Sequence, residues 1–215
     1  LTQPQTFLAP YDTALRDLSL ALCLDFGRRV WHPEVQAAVR AAADALAEAG
    51  ARIEEVSLPW GAELDDLWLK HWEVYLATFF GHTLETYRAK MDPKVVAYLD
   101  HGLAASAVEF KSLEIARTNA WKNDLAPILT RHHALLCPTM AQPAVPHGGA
   151  DSNDVTSVFS LFGMCPALSI PCGWTKDNLP MGLQIVARRH DDRLALRIGA
   201  AVEQSMPWAH RRPPV

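Results

Sequence analysis

The sequence lacks the short motifs that identify the commonest catalytic folds. It contains no GxSxG turn around a serine nucleophile, no phosphate-binding Walker loop, no GxGxxG segment after a strand and no HExxH zinc motif. It also lacks a CxxC pair, and its four cysteines have no regular spacing. These absences argue against a metal site and against a disulfide framework. Reduced thiols packed in a core are typical of the cytosol, so the prediction is a cytoplasmic protein.

Long apolar runs and an excess of basic charge are missing as well. No run approaches the roughly 18–20 apolar residues that a membrane helix requires, and no charged-then-apolar signal peptide opens the chain. The formal net charge is -4, which gives no overall attraction to phosphate backbones or anionic lipid. Neither nucleic acid nor a membrane is therefore expected as a partner.

The composition that is present is that of a globular protein. The chain has 215 residues, of which 49% are hydrophobic and 20% charged, enough to bury a substantial core. It begins at Leu1 rather than at a methionine, which fits a fragment, a processed polypeptide or a truncated sequence. Residues 1–17 are interpreted as a lead-in or linker, and residues 1–215 as a single segment.

The first regular pattern is a strand, a helix and a second strand. The apolar run "LSLALCL" predicts a strand buried on both faces. In "HPEVQAAVRAAADALAEAG", Pro33 occupies a first helical position and Gly50 ends an amphipathic helix. The alternation in "RIEEVSLP" predicts another strand. Because one helix with short loops connects the two strands, they are predicted to be parallel.

A helical layer and a second group of strands follow. Helical periodicity extends over about residues 62–87, 93–104 and 106–132. A strand "ALLCP" comes next, then a loop over residues 138–154 that is rich in Pro, Gly, Asn and Asp. A short helix near residues 155–162, strands near 167–171 and 182–187, and a last helix from about Asp191 complete the chain.

Two cysteines are candidate nucleophiles. Cys137 ends a predicted strand, where catalytic groups are often found in α/β sheets, and His147 is a candidate base for it. Cys172 stands before a predicted turn and is a similar candidate. The alternative for both residues is a buried thiol that closes a strand.

Histidine and tryptophan offer weaker candidates. His132 and His133 end a long helical pattern, where cations are favoured by the helix dipole, so capping is favoured over metal binding. His71 and His82 lie eleven residues apart without an obvious third ligand. The seven tryptophans lack interleaved basic residues and are interpreted as core and interface side chains rather than as a stacking surface.

The last third of the chain carries an ordered motif. The segment "FSLFGMCPALSIPCGWTKDNLPMGLQIVARRHDDRLALRIGAAVEQSMPW" resembles the C-terminal motif of the amidase signature family, a pattern like FNxxGxPAxSxPxG, then a hairpin, GLPxGxQxxG and a final helix. Earlier segments, including "LLCPTMAQPAVP" and "HPEVQAAVRAAADALAEAGARIEEV", are similar to the family's C-terminal half. The resemblance implies an α/β fold in which a mixed β-sheet is sandwiched by helices.

The resemblance also implies an activity whose catalytic residues are not in this chain. The family hydrolyses or transfers the amide nitrogen of carboxamides with a serine nucleophile, a second serine in a cis peptide and a lysine base, and it needs no cofactor. Its GGSSGGSA-type segment has no counterpart here, because the pair Gly148 and Gly149 is followed by "ADSNDV". The expected partners are an N-terminal amidase half that carries the triad, a small-molecule amide substrate and a possible second copy of the chain.

Substrate-pocket residues can be carried over from the motif. Gln184 matches the family's GxQ, residues 178–181 resemble the hairpin that lines the acyl pocket, and residues 154–160 resemble the loop that approaches the substrate amide. Two departures are Ser160 in place of Asn, and Met164 with Cys165 in place of Leu before Pro-Ala. The implied substrate-binding residues are Thr139, Asp154, Ser157, Ser160, Met181 and Gln184.

Three functional hypotheses follow. The first is the C-terminal part of an amidase, inactive by itself, which supplies the sheet core and a wall of the substrate pocket. The second is a non-catalytic binding or scaffold module with a degenerate amidase fold. The third is a cysteine hydrolase built around Cys137 and His147.

Overall fold

A computed structural model describes residues 7–8, 10–26, 31–146, 149, 155–163 and 165–211. The strands are β1 (Ser19–Leu22), β2 (Arg52–Glu55), β3 (Ala134–Pro138), β4 (Ala167–Trp174) and β5 (Pro180–Ala187). The helices are α1 (Pro33–Glu48), α2 (Ala62–Phe80), α3 (Leu84–Tyr87), α4 (Pro93–Ala104), α5 (Ala107–Ala120), α6 (Ala126–Arg131), α7 (Thr156–Phe162) and α8 (Asp192–Ser205).

The five strands form one mixed sheet in the order β2-β1-β3-β5-β4. β1 pairs in parallel with β2 and with β3, while β5 is antiparallel to β3 and to β4. The parallel pairing predicted for the first two strands is confirmed. So is the predicted fold class, because helices cover both faces of this mixed sheet.

Alternating side chains on the central strands separate two cores. In β3, Leu136 faces a core formed with α1 and α8, whereas Leu135 faces a core formed with α2, α6 and α7. β1 alternates in the same way, with Leu20 in the first core and Ala21 in the second. The continuous apolar runs in the sequence therefore reflect burial on both faces.

The segment before β1 packs against the fold. Leu15 is fully buried in the first core. Arg197 of α8 donates hydrogen bonds to the carbonyl oxygens of Asp12 and Ala14 and pairs with the carboxylate of Asp17 at 2.8 Å. At the end of α1, Gly50 has a φ of 107° and lies so close to Arg16 that a Cβ would come within 2.6 Å of its side chain. Residues 12–17 are thereby anchored to both helices of that layer.

The predicted helical layer is more divided than its periodicity indicates. The first long pattern ends as an α-helix at Phe80 and continues through two 3-10 turns and α3. The pattern of residues 106–132 is interrupted by a π-helix, Trp121–Leu125, which ends two residues before Pro127. A proline lacks the N–H of a regular helix and its ring collides with the preceding turn, so a wider turn accommodates it.

The two sheet edges differ. β2 is four residues long, and its exposed side chains include Arg52, Glu54 and Glu55. β4 is eight residues long and has exposed, uncharged Ala167 and Ser169. Among the described residues, β4 pairs with β5 alone. Since short, charged strands resist further pairing, β4 is the edge suited to accept another strand.

Candidate functional site

Thr139 joins four segments at the end of β3. Its hydroxyl lies 2.8 Å from the hydroxyl of Ser169 in β4. Its backbone N–H donates to the carbonyl of Gly182 in β5 at 2.9 Å, and its carbonyl accepts from the N–H of Val155 at 3.3 Å. A Cβ on Gly182 would lie 2.5 Å from the Thr139 Oγ1, so the absence of a side chain there lets the strands meet.

Gln184 lies two residues along β5 from Gly182, on the same face of the sheet. It is 2% exposed, and in register it stands opposite Cys137 on one side and Ser169 on the other. Its Nε2 is 3.5 Å from the Cys137 Sγ. The side chain therefore links β3 and β5 next to the junction around Thr139.

The cysteines are not placed to act as nucleophiles. Cys137 is fully buried, and burial raises the pKa of its thiol far above the ordinary range. Burial also raises the pKa of Cys172 to about 12 and that of Cys23 to about 11. The alternative of buried thiols that close strands is thereby favoured over the third hypothesis, a cysteine hydrolase, because an accessible thiolate is the nucleophile in such enzymes. The candidate base His147 lies outside the described residues.

Ser157 and Ser160 lie elsewhere, on α7. The Ser160 hydroxyl donates to the Ser157 carbonyl at 2.6 Å and accepts from the indole N–H of Trp68 on α2 at 3.1 Å. The two helices are thus joined at a polar point beside an open groove. Met181, 7% exposed, lines a separate cavity of about 190 Å³ with Met140 and neighbouring residues. Asp154 lies outside the described residues.

The predicted pocket residues therefore occupy separate places. Thr139 and Gln184 lie together by the open strand β4, with Met181 in the adjoining hairpin, whereas Ser157 and Ser160 belong to α7. Ser169 was not among the predicted residues, although its hydroxyl contacts Thr139 and its side chain is exposed. The serine in the "ALSIP" motif was the available signal for it.

An open groove, which the sequence did not predict, runs along α2. Its α2 wall carries Trp68, Trp72, Tyr75 and Phe79, and Trp72 is 39% exposed. The interpretation of the tryptophans as core and interface side chains is confirmed for Trp60, which is buried in the core, and stays a prediction for Trp72, which is exposed. The spacing of these aromatic residues, three or four along one helix, was the signal that a single stripe exists.

A third group resembles a Ser-His-Glu triad, but its serine and histidine are buried, while its glutamate, Glu54, is exposed. The Ser19 hydroxyl lies 3.0 Å from the His132 Nδ1, and the His132 Nε2 is 3.8 Å from a carboxylate oxygen of Glu54. Ser19 is 4% and His132 2% exposed, so this group joins β1 to the end of α6 and does not face a substrate. Burial lowers the pKa of His132, which favours the neutral ring. His132 is the C-cap residue of α6, so the predicted position at the helix end is confirmed, while burial favours the neutral ring over the cation.

The described residues contain neither a metal-binding cluster nor a membrane-spanning helix. Within the described ranges, no three His, Cys, Asp or Glu side chains come together as the ligands of a metal ion would. None of the helices in those ranges is long and apolar enough to cross a bilayer.

Comparison with known proteins decides the family. The family model described as Amidase matches residues 2–196. This chain belongs to the amidase family. The predicted resemblance to amidase signature proteins is thereby confirmed over most of the chain. An acylamidase of Rhodococcus erythropolis is 27% identical over 200 residues, covering 84% of this amidase chain and 41% of the relative. An amidase of Pseudomonas putida is 29% identical over 199 residues, with the same two coverages.

Solved structures agree in fold with this amidase chain. A bacterial aryl acylamidase of the amidase signature family superposes with a TM-score of 0.78 at 21% identity, over 92% of this chain and 45% of the other. A 6-aminohexanoate cyclic dimer hydrolase complexed with substrate gives 0.74 at 20% identity, over 91% and 46%. The amidase chain described here thus spans less than half the length of these relatives.

Proposed function

We propose that this chain is the C-terminal part of an amide hydrolase and acts with an N-terminal half that carries a Ser, cis-Ser and Lys triad, either within a longer precursor or as a second chain. Two observations support the proposal. The chain matches the amidase family along most of its length, yet it covers only 41% of two relatives. The observation that carries it is the edge of β4, a strand that pairs with β5 alone among the described residues and where Ser169 and Thr139 are held together.

In this proposal, the N-terminal half that carries the triad cleaves the amide bond. Its serine attacks the amide carbon, the lysine accepts the serine proton through the cis serine, and the nitrogen leaves after protonation. Water then hydrolyses the acyl-enzyme, and backbone amides stabilise the oxyanion in both steps. This chain contributes the far wall of the pocket and half of the sheet.

Thr139 and Ser169 have a specific part in that wall. Each hydroxyl carries one proton, and their shared contact uses only one of the two. The second proton stays available to an acceptor that approaches β4, either a substrate oxygen or a backbone carbonyl of the incoming segment. Gln184, next to them on β5, contacts Cys137 on β3 and so helps to hold the two strands together. Asp154, Ser157, Ser160 and Met181 are proposed as further pocket residues on the strength of the motif.

Reconstitution tests the proposal. Residues 1–215 are purified alone and together with an amidase N-terminal half that carries the triad, and ammonia release from acetamide and benzamide is measured. We expect release only from the pair, and none when the nucleophilic serine of the added half is replaced by alanine. Ammonia release by residues 1–215 alone would refute the assignment of the triad. Stable pairing without release would favour a non-catalytic scaffold.

A further inference from the structure

The groove along α2 has the dimensions and lining of a small-molecule site. Trp68, Trp72, Tyr75 and Phe79 follow one another with ring centroids 5.8, 5.6 and 4.8 Å apart. The first three rings are nearly parallel, with interplanar angles of 11° and 10°. The groove encloses about 500 Å³, which lies within the range of pockets that bury small ligands.

The walls of the groove combine aromatic surface with few polar groups. α5 contributes Phe110 and Arg117 opposite the α2 stripe, and α7 contributes Ser160 and Leu161. Among the described residues that line the groove, Arg117 carries a formal charge and none has a carboxylate; Glu114, 3.5 Å from the Arg117 guanidinium, lies outside the lining. A neighbouring cavity, in contrast, is lined by Lys70, Glu73, His101 and Glu109. The aromatic groove thus favours neutral or anionic ligands over cationic ones.

His71 adds a hydrogen-bond acceptor to the lining. Its Nδ1 is 3.0 Å from the Leu67 carbonyl, which can only accept, so Nδ1 carries the proton and Nε2 has the lone pair. Burial lowers the pKa of His71, which keeps the ring neutral. Its Nε2 is buried and has no hydrogen-bond partner among the described residues. A ligand N–H that reaches it would satisfy this atom.

Arg117 supplies the complementary donors. Its guanidinium makes a long 3.5 Å contact with Glu114, and an arginine has five N–H donors in all. Aromatic surface, an acceptor on His71 and donors on Arg117 together match an aromatic carboxamide, which has a flat ring, an N–H group and a carbonyl oxygen. Ser160, which the family motif places in the substrate pocket, lies in the same groove.

We infer that this groove binds the aromatic part of a neutral or anionic aryl amide substrate, with the ring against Trp72, Tyr75 and Phe79 and an oxygen near Arg117. This inference rests on the proposed function, because it names the substrate class of the proposed amidase. The aromatic stripe is accessible to a ligand, because Tyr75 and Phe79 are each 54% exposed.

Calorimetric titration of the chain tests the inference with three probes: benzamide, 4-carbamoylbenzoate and acetamide. We expect saturable binding of both aromatic amides, tighter for the carboxylate, and acetamide weaker by about 10-fold or more because it lacks the ring. Phe79→Ala should weaken aromatic binding by about 3- to 10-fold. Arg117→Gln should abolish the preference for 4-carbamoylbenzoate over benzamide.

Phe80→Ala is the matched control. Phe80 is the next residue, is 51% exposed and lies outside the groove lining, so its removal should leave binding unchanged. Circular dichroism confirms that each variant is folded. Equal losses in the two Phe variants, equal affinity for acetamide, or no binding of any probe would each overturn the inference.

Two further measurements separate the other occupants. If the chain sediments as a dimer that Phe79→Ala dissociates, a second copy fills the groove and the inference fails. If the added N-terminal half shields Trp72 from fluorescence quenching and abolishes benzamide binding, that half is the occupant. In the reconstituted pair, Phe79→Ala should lower ammonia release from benzamide more than release from acetamide, whereas Phe80→Ala should change neither. Unchanged benzamide turnover by Phe79→Ala would reject the inference about the groove and leave the proposed function standing. Absence of ammonia release from every substrate would reject the proposed function itself.

Discussion

Replacement of Gly182 by alanine should damage the junction at the open edge of the sheet. The new Cβ would lie 2.5 Å from Oγ1 and 2.9 Å from Cβ of Thr139, and 3.3 Å from Oγ of Ser169. Relief of this overlap costs about 1–3 kcal/mol. Loss of the Thr139–Ser169 hydrogen bond adds about 1 kcal/mol. The free energy of unfolding, measured by urea titration, should therefore fall by about 2–4 kcal/mol.

A double-mutant cycle identifies the cause of this loss. Thr139→Ala removes the oxygen that the new methyl group would meet first, so the combined variant should lose less stability than the sum of the single variants. Gly61→Ala is the control, because its Cβ would meet only the end of the flexible Glu63 side chain, at 2.7 Å. Strict additivity of Gly182→Ala and Thr139→Ala, or an equal effect of Gly61→Ala, would refute the steric explanation.

Two other predictions concern the buried histidine and the anchored segment. The pKa of His132 is lowered by burial, so the stability that its neutral ring confers is complete above about pH 6.5 and declines as the pH falls below that value. His132→Gln should make the melting temperature less sensitive to acid between about pH 7 and pH 5, and an unchanged slope would contradict this. Arg197→Lys keeps the charge but loses the forked contact with Asp17 and the backbone, so limited proteolysis within residues 12–17 should accelerate while α8 stays helical. Equal cleavage rates would show that the buried Leu15 alone holds the segment.

Local signals in the sequence located most regular elements. Pro33 and Gly50 delimited α1, because a proline fits a first turn and Gly50 has a positive φ. The strand β3 was predicted with its observed bounds from five apolar residues. These features depend on residues next to each other in the chain, which is why a single sequence is enough to predict them.

The features that were missed depend on contacts between distant segments. His132 caps a helix, as predicted, but the sequence did not show that its ring is buried against Ser19, 113 residues away, or that burial lowers its pKa. The aromatic stripe of α2 has a helical period, but periodicity alone does not tell whether a face meets a core or an open groove. Likewise, the motif indicated Gln184 without showing that its amide lies against Cys137.

The unequal edges of the sheet give assembly a direction. A strand that approached β2 would meet Glu54 and Glu55, whereas β4 offers uncharged side chains along twice the length. A further strand is therefore expected to add to the sheet at β4 and not at β2. A short β-strand peptide that competes for β4 would act as a reversible inhibitor of complementation, and its potency would measure how much of the affinity between the two halves comes from backbone pairing.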